Sequence, residues 1–438
     1  MNVKKLLEAA VRCCAAGAAT AFAAATDVPS VQSVNYSQPS SGSRTVTVTY
    51  TLDDAPAIVT MEVLTNGVSV GADKAVSFEG DVNKVVQPGA HTFKWFAQRD
   101  WPEQDIREDV VQIRLKAWAL SEPPPYMVAD LETPQNVTYY ASADALPDGG
   151  LTNRLYKTSR LVMRRIYAAG VRWNMGTHKY EPGYISRTQD AIHSVQLTND
   201  YYIGVFQLTQ GQWYRIAGVY PTWADVTTAG ERDVYPLQYI TFAEMREAAP
   251  NVSSTTVAGN SAYRYPEAPS PDSFLGRLSS LTGIAFDLPG ECEWEYACRA
   301  GNYGAKWGDG SVATLPGGGN NSTDPNLGAL ATYWTNPALC TPVGSHNPNS
   351  WGLYDMHGNL WEMCLDIYTA DITGLDGAIN TTVNSDSTHA TSGAILHSER
   401  GGARHSRAYQ CQSSYRDKDP ESSRTAGIGF RLVSRIAQ

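Results

Sequence analysis

The chain has 438 residues, of which 42% are apolar and 18% charged, and a formal net charge of −10 at neutral pH. That length exceeds what one core usually holds, so two or three domains are expected, and the apolar fraction excludes a chain disordered throughout. The acidic balance, with no basic stripe to displace counterions, excludes nucleic acid as a partner; a solvated acidic surface is enough to explain it.

At the start, Lys4 and Lys5, a run of small residues and the sequence Ala21-Phe22-Ala23 read as a secretion signal over 1–23. Glu8 and Arg12 interrupt its apolar run, which leaves an amphipathic helix as the alternative. Cys13 is a poor lipoprotein cysteine, because Arg12 precedes it where a small residue is expected. No later stretch approaches the roughly 20 apolar residues of a transmembrane segment. The expected location is secreted, periplasmic or at the cell surface. Beyond the signal lie Cys292, Cys298, Cys340, Cys364 and Cys411. In an oxidising compartment these suggest up to two disulfides and one leftover thiol, with a connectivity that spacing does not reveal.

Residues 28–120 read as all-β. Val46, Val48 and Tyr50 share one face of a strand, as do Val59, Met61 and Val63, Phe93 and Trp95, and Val111, Ile113, Leu115 and Ala117. That period of two marks half-buried strands, and turn signals such as "LDDAP", "TNG" and "QPGA" separate them. The spacing predicts a small sandwich of immunoglobulin or fibronectin type, serving as a spacer or docking module. "SEPPPY" then reads as a stiff hinge, and 121–159 as a proline-containing linker and lead-in.

From 160 onward, short strands alternate with short helices and long glycine-rich loops. "SPDSFLGRLSSLTG" predicts a helix capped by Ser270, with Pro271 in its first turn, a stripe of Phe274, Leu278 and Leu281, and Gly283 at its end. Thr241 and Glu244 stand at capping-box spacing. "LPGECEWEYACRAG" predicts another helix, with Trp294, Ala297 and Cys298 on one face and Gly290 at a cap position that offers no side-chain acceptor. The nearly structureless stretch 302–351 points to a functional loop or one held by an ion.

Five segments in order carry a resemblance: "NMGTHKYEPG" with "DYYIGVFQLTQGQW", "FDLPGECEWEYACRAG", "TPVGSHNPNSWGLYDMHGNLWEM", "RGGARHS" and "SSYRDKDPESSRTAGIGFRLV". Together they resemble the formylglycine-generating enzyme or sulfatase-modifying-factor family over roughly 160–435. The resemblance implies an α+β, C-type-lectin-like domain behind the N-terminal sandwich. It also implies an oxidase that converts a sulfatase cysteine to formylglycine with copper held by two cysteines.

In the same resemblance, "GLYDMHGNLWEM" matches a calcium loop. Asp355 and Glu362 would give carboxylate oxygens, and Gly358 and Leu360 backbone carbonyls, a donor set that suits Ca2+. The rival reading of the two acids is a cap and a surface charge, and His357 is expected to be structural or on the surface. A second calcium loop would fall at "ATYWTN", but Thr332 stands where asparagine is expected, so no residues are assigned there. Of the two copper-binding cysteines only Cys411 is present: counted from the double glycine it falls near the first position, counted back from "GFR" it matches neither. Arg416 stands five residues on and repels a cation, so copper is not expected. Cys411 is the one catalytic candidate, with a disulfide to Cys364 as its rival role. Arg400, Arg404 and His405 read either as an anion site or as braces for a loop-rich domain, and Arg431 as structural.

Three functions stay open: a calcium-binding non-oxidase that binds a protein or glycan ligand, an enzyme acting on sulfatases, and a displayed recognition domain that varies over 403–426.

Overall fold

The computed structural model describes residues 28–437 except 38–43, 105, 108–109, 178–189, 252, 255–256, 303–306, 312–321, 335–338 and 373–394. The expected secretion signal over 1–23 lies outside the described residues.

The first eight strands are β1 (Ser30–Ser37), β2 (Thr45–Asp53), β3 (Ala57–Thr65), β4 (Val68–Ser69), β5 (Phe78–Gly80), β6 (Val85–Val86), β7 (Gly89–Phe96) and β8 (Val111–Ala119). One sheet has the order β1-β2-β7-β5. In the other, β3 pairs with β8 over nine positions and with β4 and β6 at its two ends. Alternation sends Val46, Val48, Phe93 and Trp95 of the first sheet and Val59, Val63, Val111 and Ile113 of the second into one shared core. The indole of Trp95 donates to Asp100 Oδ2 at 3.0 Å, so the largest side chain in that core buries no unsatisfied donor.

The stretch expected as linker and lead-in supplies β9 (Tyr126–Asp130) and β10 (Val137–Tyr140). The proline segment before them is docked: the carbonyls of Pro123, Pro124 and Pro125 accept from Arg165 Nη1, the Tyr202 hydroxyl and the Arg165 amide at 2.5–2.7 Å. Strands β11 (Arg160–Ile166), β12 (Arg172–Met175), β13 (His193–Gln196) and β14 (Tyr201–Gly204) follow, and later β15 (Trp361–Ile367), β16 (Leu396–Arg400), β17 (Asp417–Pro420), β18 (Ile428–Gly429) and β19 (Val433–Arg435). They form a five-stranded sheet β10-β9-β11-β14-β19, a four-stranded sheet β17-β16-β15-β18 and the pair β12-β13. The result is a mixed, sheet-rich α+β region.

Among the described residues, four α-helices pack around these sheets: Gln210–Ala217, Phe242–Arg246, Phe274–Thr282 and Glu291–Arg299. Thr241 and Glu244 form the expected capping box. The third helix starts later than predicted. Ser273, not Ser270, is its N-cap and accepts from Gly276 N at 3.1 Å, while the Ser270 carbonyl accepts from Ser273. Pro271 therefore precedes the helix. Its buried stripe is Phe274, Leu275 and Leu278, with Phe274 packed on Trp213 and Phe430, while Leu281, on the other side of the helix, is 39% exposed.

Candidate functional site

The loop between Gly352 and β15 turns back on itself through three left-handed residues, Asp355 (φ 56°), Gly358 (φ 81°) and Asn359 (φ 62°). Only glycine fits at 358, since a Cβ there would run into the Thr332 carbonyl. Asn359 locks the turn: its amide donates to Thr332 O at 2.8 Å, and its side chain exchanges two hydrogen bonds with the Thr341 backbone. Thr332 itself bonds Thr341 Oγ1 and His346 Nε2 through its hydroxyl, at 2.7 and 2.9 Å.

Both acids of the loop are buried, and they differ. Asp355 Oδ2 accepts from Gly344 N at 2.7 Å. Burial, only partly offset by that bond and by Arg431, pushes its carboxyl up to about 6. Glu362 is fully satisfied. Arg431 grips it side-on, Nε to Oε2 at 2.5 Å and Nη2 to Oε1 at 2.6 Å, and Trp294 Nε1 and Gln207 Nε2 donate to it at 2.7 and 3.0 Å. Gln207 Nε2 also lies 2.9 Å from Leu360 O and 3.4 Å from Asp355 O, so three oxygens converge on that one nitrogen. Gln207 Oε1, in contrast, is buried without a partner. Of the expected donors, the structure thus brings together the Leu360 carbonyl and the Glu362 carboxylate. Asp355 joins them through its carbonyl, while its carboxylate turns to Gly344. Gly358 shapes the turn.

Cys411 ends a short 3-10 turn, Ala408–Cys411, and packs among Trp307, Leu330, Ala331 and Tyr333. Gly402 is required beside it, because a Cβ there would sit 2.6 Å from the Cys411 sulfur. Burial raises the thiol far above its ordinary range. The disulfide to Cys364, its rival role, is not formed. Both thiols are free, and Cys364 points from β15 into a separate cluster with Trp294 and Val433. His357 is buried and structural rather than on the surface. Its Nδ1 donates to Cys411 O at 2.8 Å, its Nε2 accepts from Gly308 N at 2.9 Å, and burial lowers its pKa to about 4. Cys298 lies 3.7 Å from His357 Nε2, and burial pushes its thiol up to about 12. Among the described residues, no group of three or more His, Cys, Asp or Glu is placed to hold a metal ion.

The arginines that sequence left open act as braces. Arg400 is fully buried, paired with Glu295 and donating to the carbonyls of Ser413 and Tyr415. Arg416 clasps Glu291 with Nε 2.9 Å from both carboxylate oxygens. Arg404 pairs with Asp225 at 2.8 Å. The acidic partners Glu291 and Glu295 were overlooked in sequence, although their i, i+4 spacing, continued by Arg299, puts all three on one face of the helix Glu291–Arg299.

What this region turns outward is aromatic. Trp223 is 39% and Trp334 50% exposed. Arg407 lies over Trp334 at 5.2 Å and Arg424 over Trp223 at 5.6 Å. The segment 404–407 joins the two, through Arg404 to Asp225 and through Ser406 O, which accepts from Trp334 N at 3.0 Å.

Residues 161–436 match the sulfatase-modifying factor enzyme 1-like domain, and the chain belongs to that family. Curated relatives include the formylglycine-generating enzyme of Streptomyces coelicolor, 30% identical over 157 residues that make up 34% of this chain and 46% of that one. The Bos taurus formylglycine-generating enzyme is 26% identical over 39% of this chain and 48% of its own. The chaperone protein LppX of Paenibacillus barcinonensis is 25% identical over 38% and 62%. The chain thus spans about half the length of the two enzymes. Among solved structures, PvdO from Pseudomonas aeruginosa aligns over 63% of this chain and 94% of its own at 20% identity and a TM-score of 0.45.

Proposed function

We propose that this chain is a non-oxidase member of the family, which binds a protein or glycan ligand through the face that carries Trp223 and Trp334. The reading rests on one contrast. The lone thiol of the expected catalytic segment is buried beneath Trp307 and raised away from its thiolate, while two indoles backed by arginines face solvent. At Trp334, a flat apolar ring beside the exposed Arg407 gives stacking area with a charged donor at its edge, which suits the CH face of a sugar or an aromatic peptide side chain; Arg424 over Trp223 is held by Glu244, Tyr239 O and Asn251 O. In this reading the N-terminal sheets are an immunoglobulin- or fibronectin-like sandwich that presents the domain outside the cell.

Calcium in the 355–362 loop is part of the same proposal. Its support is the convergence of Asp355 O, Leu360 O and Glu362 Oε1 on Gln207 Nε2, together with the orphaned Gln207 Oε1. Rotating that amide would place a fourth oxygen where three already meet, an arrangement that a cation would stabilise. The Asp355 and Leu360 carbonyls and the Glu362 carboxylate would hold it with Gln207, in the turn that Gly358 shapes. Copper has no such support.

The test is a glycan array and a peptide library screened with the full chain. Trp334→Ala and Arg407→Ala should each weaken the best hit at least about tenfold. In parallel, a sulfatase-derived cysteine peptide incubated with the protein, Cu(I) and oxygen should keep its mass; a loss of mass at that cysteine overturns the non-oxidase reading.

A further inference from the structure

A cavity of about 380 Å³ opens where the outer face of the β3–β8 sheet meets residues 141–145. The register sets Ile58 beside Trp118, Thr60 beside Lys116 and Glu62 beside Arg114. Ile58 is 1% exposed and, with Trp118, packs into the core of the second region, whereas the rest of this face is left as the floor of the cavity. Ala72 and Ala75 close it from the N-terminal side, and Ala145 from the other, so neither region forms it alone. A small, largely apolar hollow at such a junction is a common place for a ligand.

The polar groups in it are poorly matched. Lys116 Nζ lies 3.3 Å above the Trp118 ring, and no carboxylate pairs with it among the described residues. The Trp118 indole is oriented by a 2.9 Å bond to Thr60 Oγ1, so the ring that holds the ammonium is itself fixed. Arg114 meets Glu62 only at 3.4 Å, in an exposed pair of little strength. Ser142 Oγ is buried with no partner. With two cations and one anion, the cavity is positive in a chain of net charge −10. A second cavity of about 450 Å³ shares the wall residue Asn83 and is also positive, lined by Lys84, Arg99 and Arg160 against Asp148.

We propose that the junction cavity binds a small amphipathic anion. Its oxyanion head meets Lys116 and the Ser142 hydroxyl, and its compact apolar body lies between Ala72, Ala75 and Ala145. A carboxylate and a sulfate ester present the same head chemistry, and the test separates them.

Octanoate, octyl sulfate and uncharged octanol are titrated into the full chain by calorimetry. At least one of the two anions should bind at one site per chain, and octanol at least tenfold more weakly. The stronger anion identifies the head group. Lys116→Met should reduce that binding at least tenfold, and Lys116→Arg should retain it. Ala145→Phe, which fills the hollow from the opposite wall, should abolish it with the melting temperature kept. Equal binding of octanol, no saturable binding of either anion, or full binding by Lys116→Met or Ala145→Phe would overturn the assignment.

Discussion

Arg431 and Glu362 form a side-on ion pair in which both side chains are wholly buried, with contacts of 2.5 and 2.6 Å. The guanidinium also donates to Gly204 O and Tyr354 O, both at 2.9 Å, and so ties the end of β14 and the 352–360 loop to β15. Breaking such a pair from one side leaves a buried charge uncompensated. Arg431→Met should therefore cost about 3–5 kcal/mol in urea unfolding. The double variant Arg431→Met/Glu362→Met should recover part of that, the remainder reflecting the stranded Trp294 N–H. A single variant within 1 kcal/mol of wild type, on the order of an exposed pair, would refute the role given to Arg431.

Calcium predicts a saturable rise in melting temperature, worth about 2.7 kcal/mol at a hundredfold excess over Kd. EDTA should reverse it, and Gln207→Leu should remove it. An unchanged melting curve across added calcium and EDTA removes the ion from the proposal.

Two histidines predict an acid-labile fold. His397 stacks on Phe242 at 3.5 Å, donates from Nδ1 to Leu365 O at 3.2 Å and has a buried, unpartnered Nε2. Burial lowers its pKa to about 3, and that of His357 to about 4. The folded state thus disfavours the proton that the unfolded chain takes up near pH 6.5. Their contribution is intact above that pH and is lost as pH falls toward 4 and 3. At pH 5 the loss is about 2 kcal/mol for each ring. His397→Gln should flatten the slope of stability between pH 6.5 and 4; an unchanged slope would mean that His397 titrates freely.

Alkylation of the denatured, unreduced protein should mark Cys364 and Cys411 as separate thiols. In the native state Cys411 should react no faster than the surrounding cluster opens. A peptide that joins residues 364 and 411 would show that the pairing exists after all.

Sequence by itself determined what depends on neighbours along the chain. The alternation in β2, β3, β7 and β8 placed the N-terminal core, Thr241 and Glu244 announced their capping box, and the five ordered segments marked out the family domain. Even locally, the start of the helix Phe274–Thr282 was misread, because Ser270 and Ser273 are chemically equal as caps and only packing against Trp213 and Phe430 selects between them. The tertiary structure alone decided which charges meet. Glu362 and Arg431 stand 69 residues apart, Glu291 and Arg416 125. It also decided that Cys411 and Cys364 point into different clusters, and that Trp223 and Trp334 are left exposed. Coulomb pairing and burial depend on distance in space, which the folded sheets fix and residue spacing leaves open.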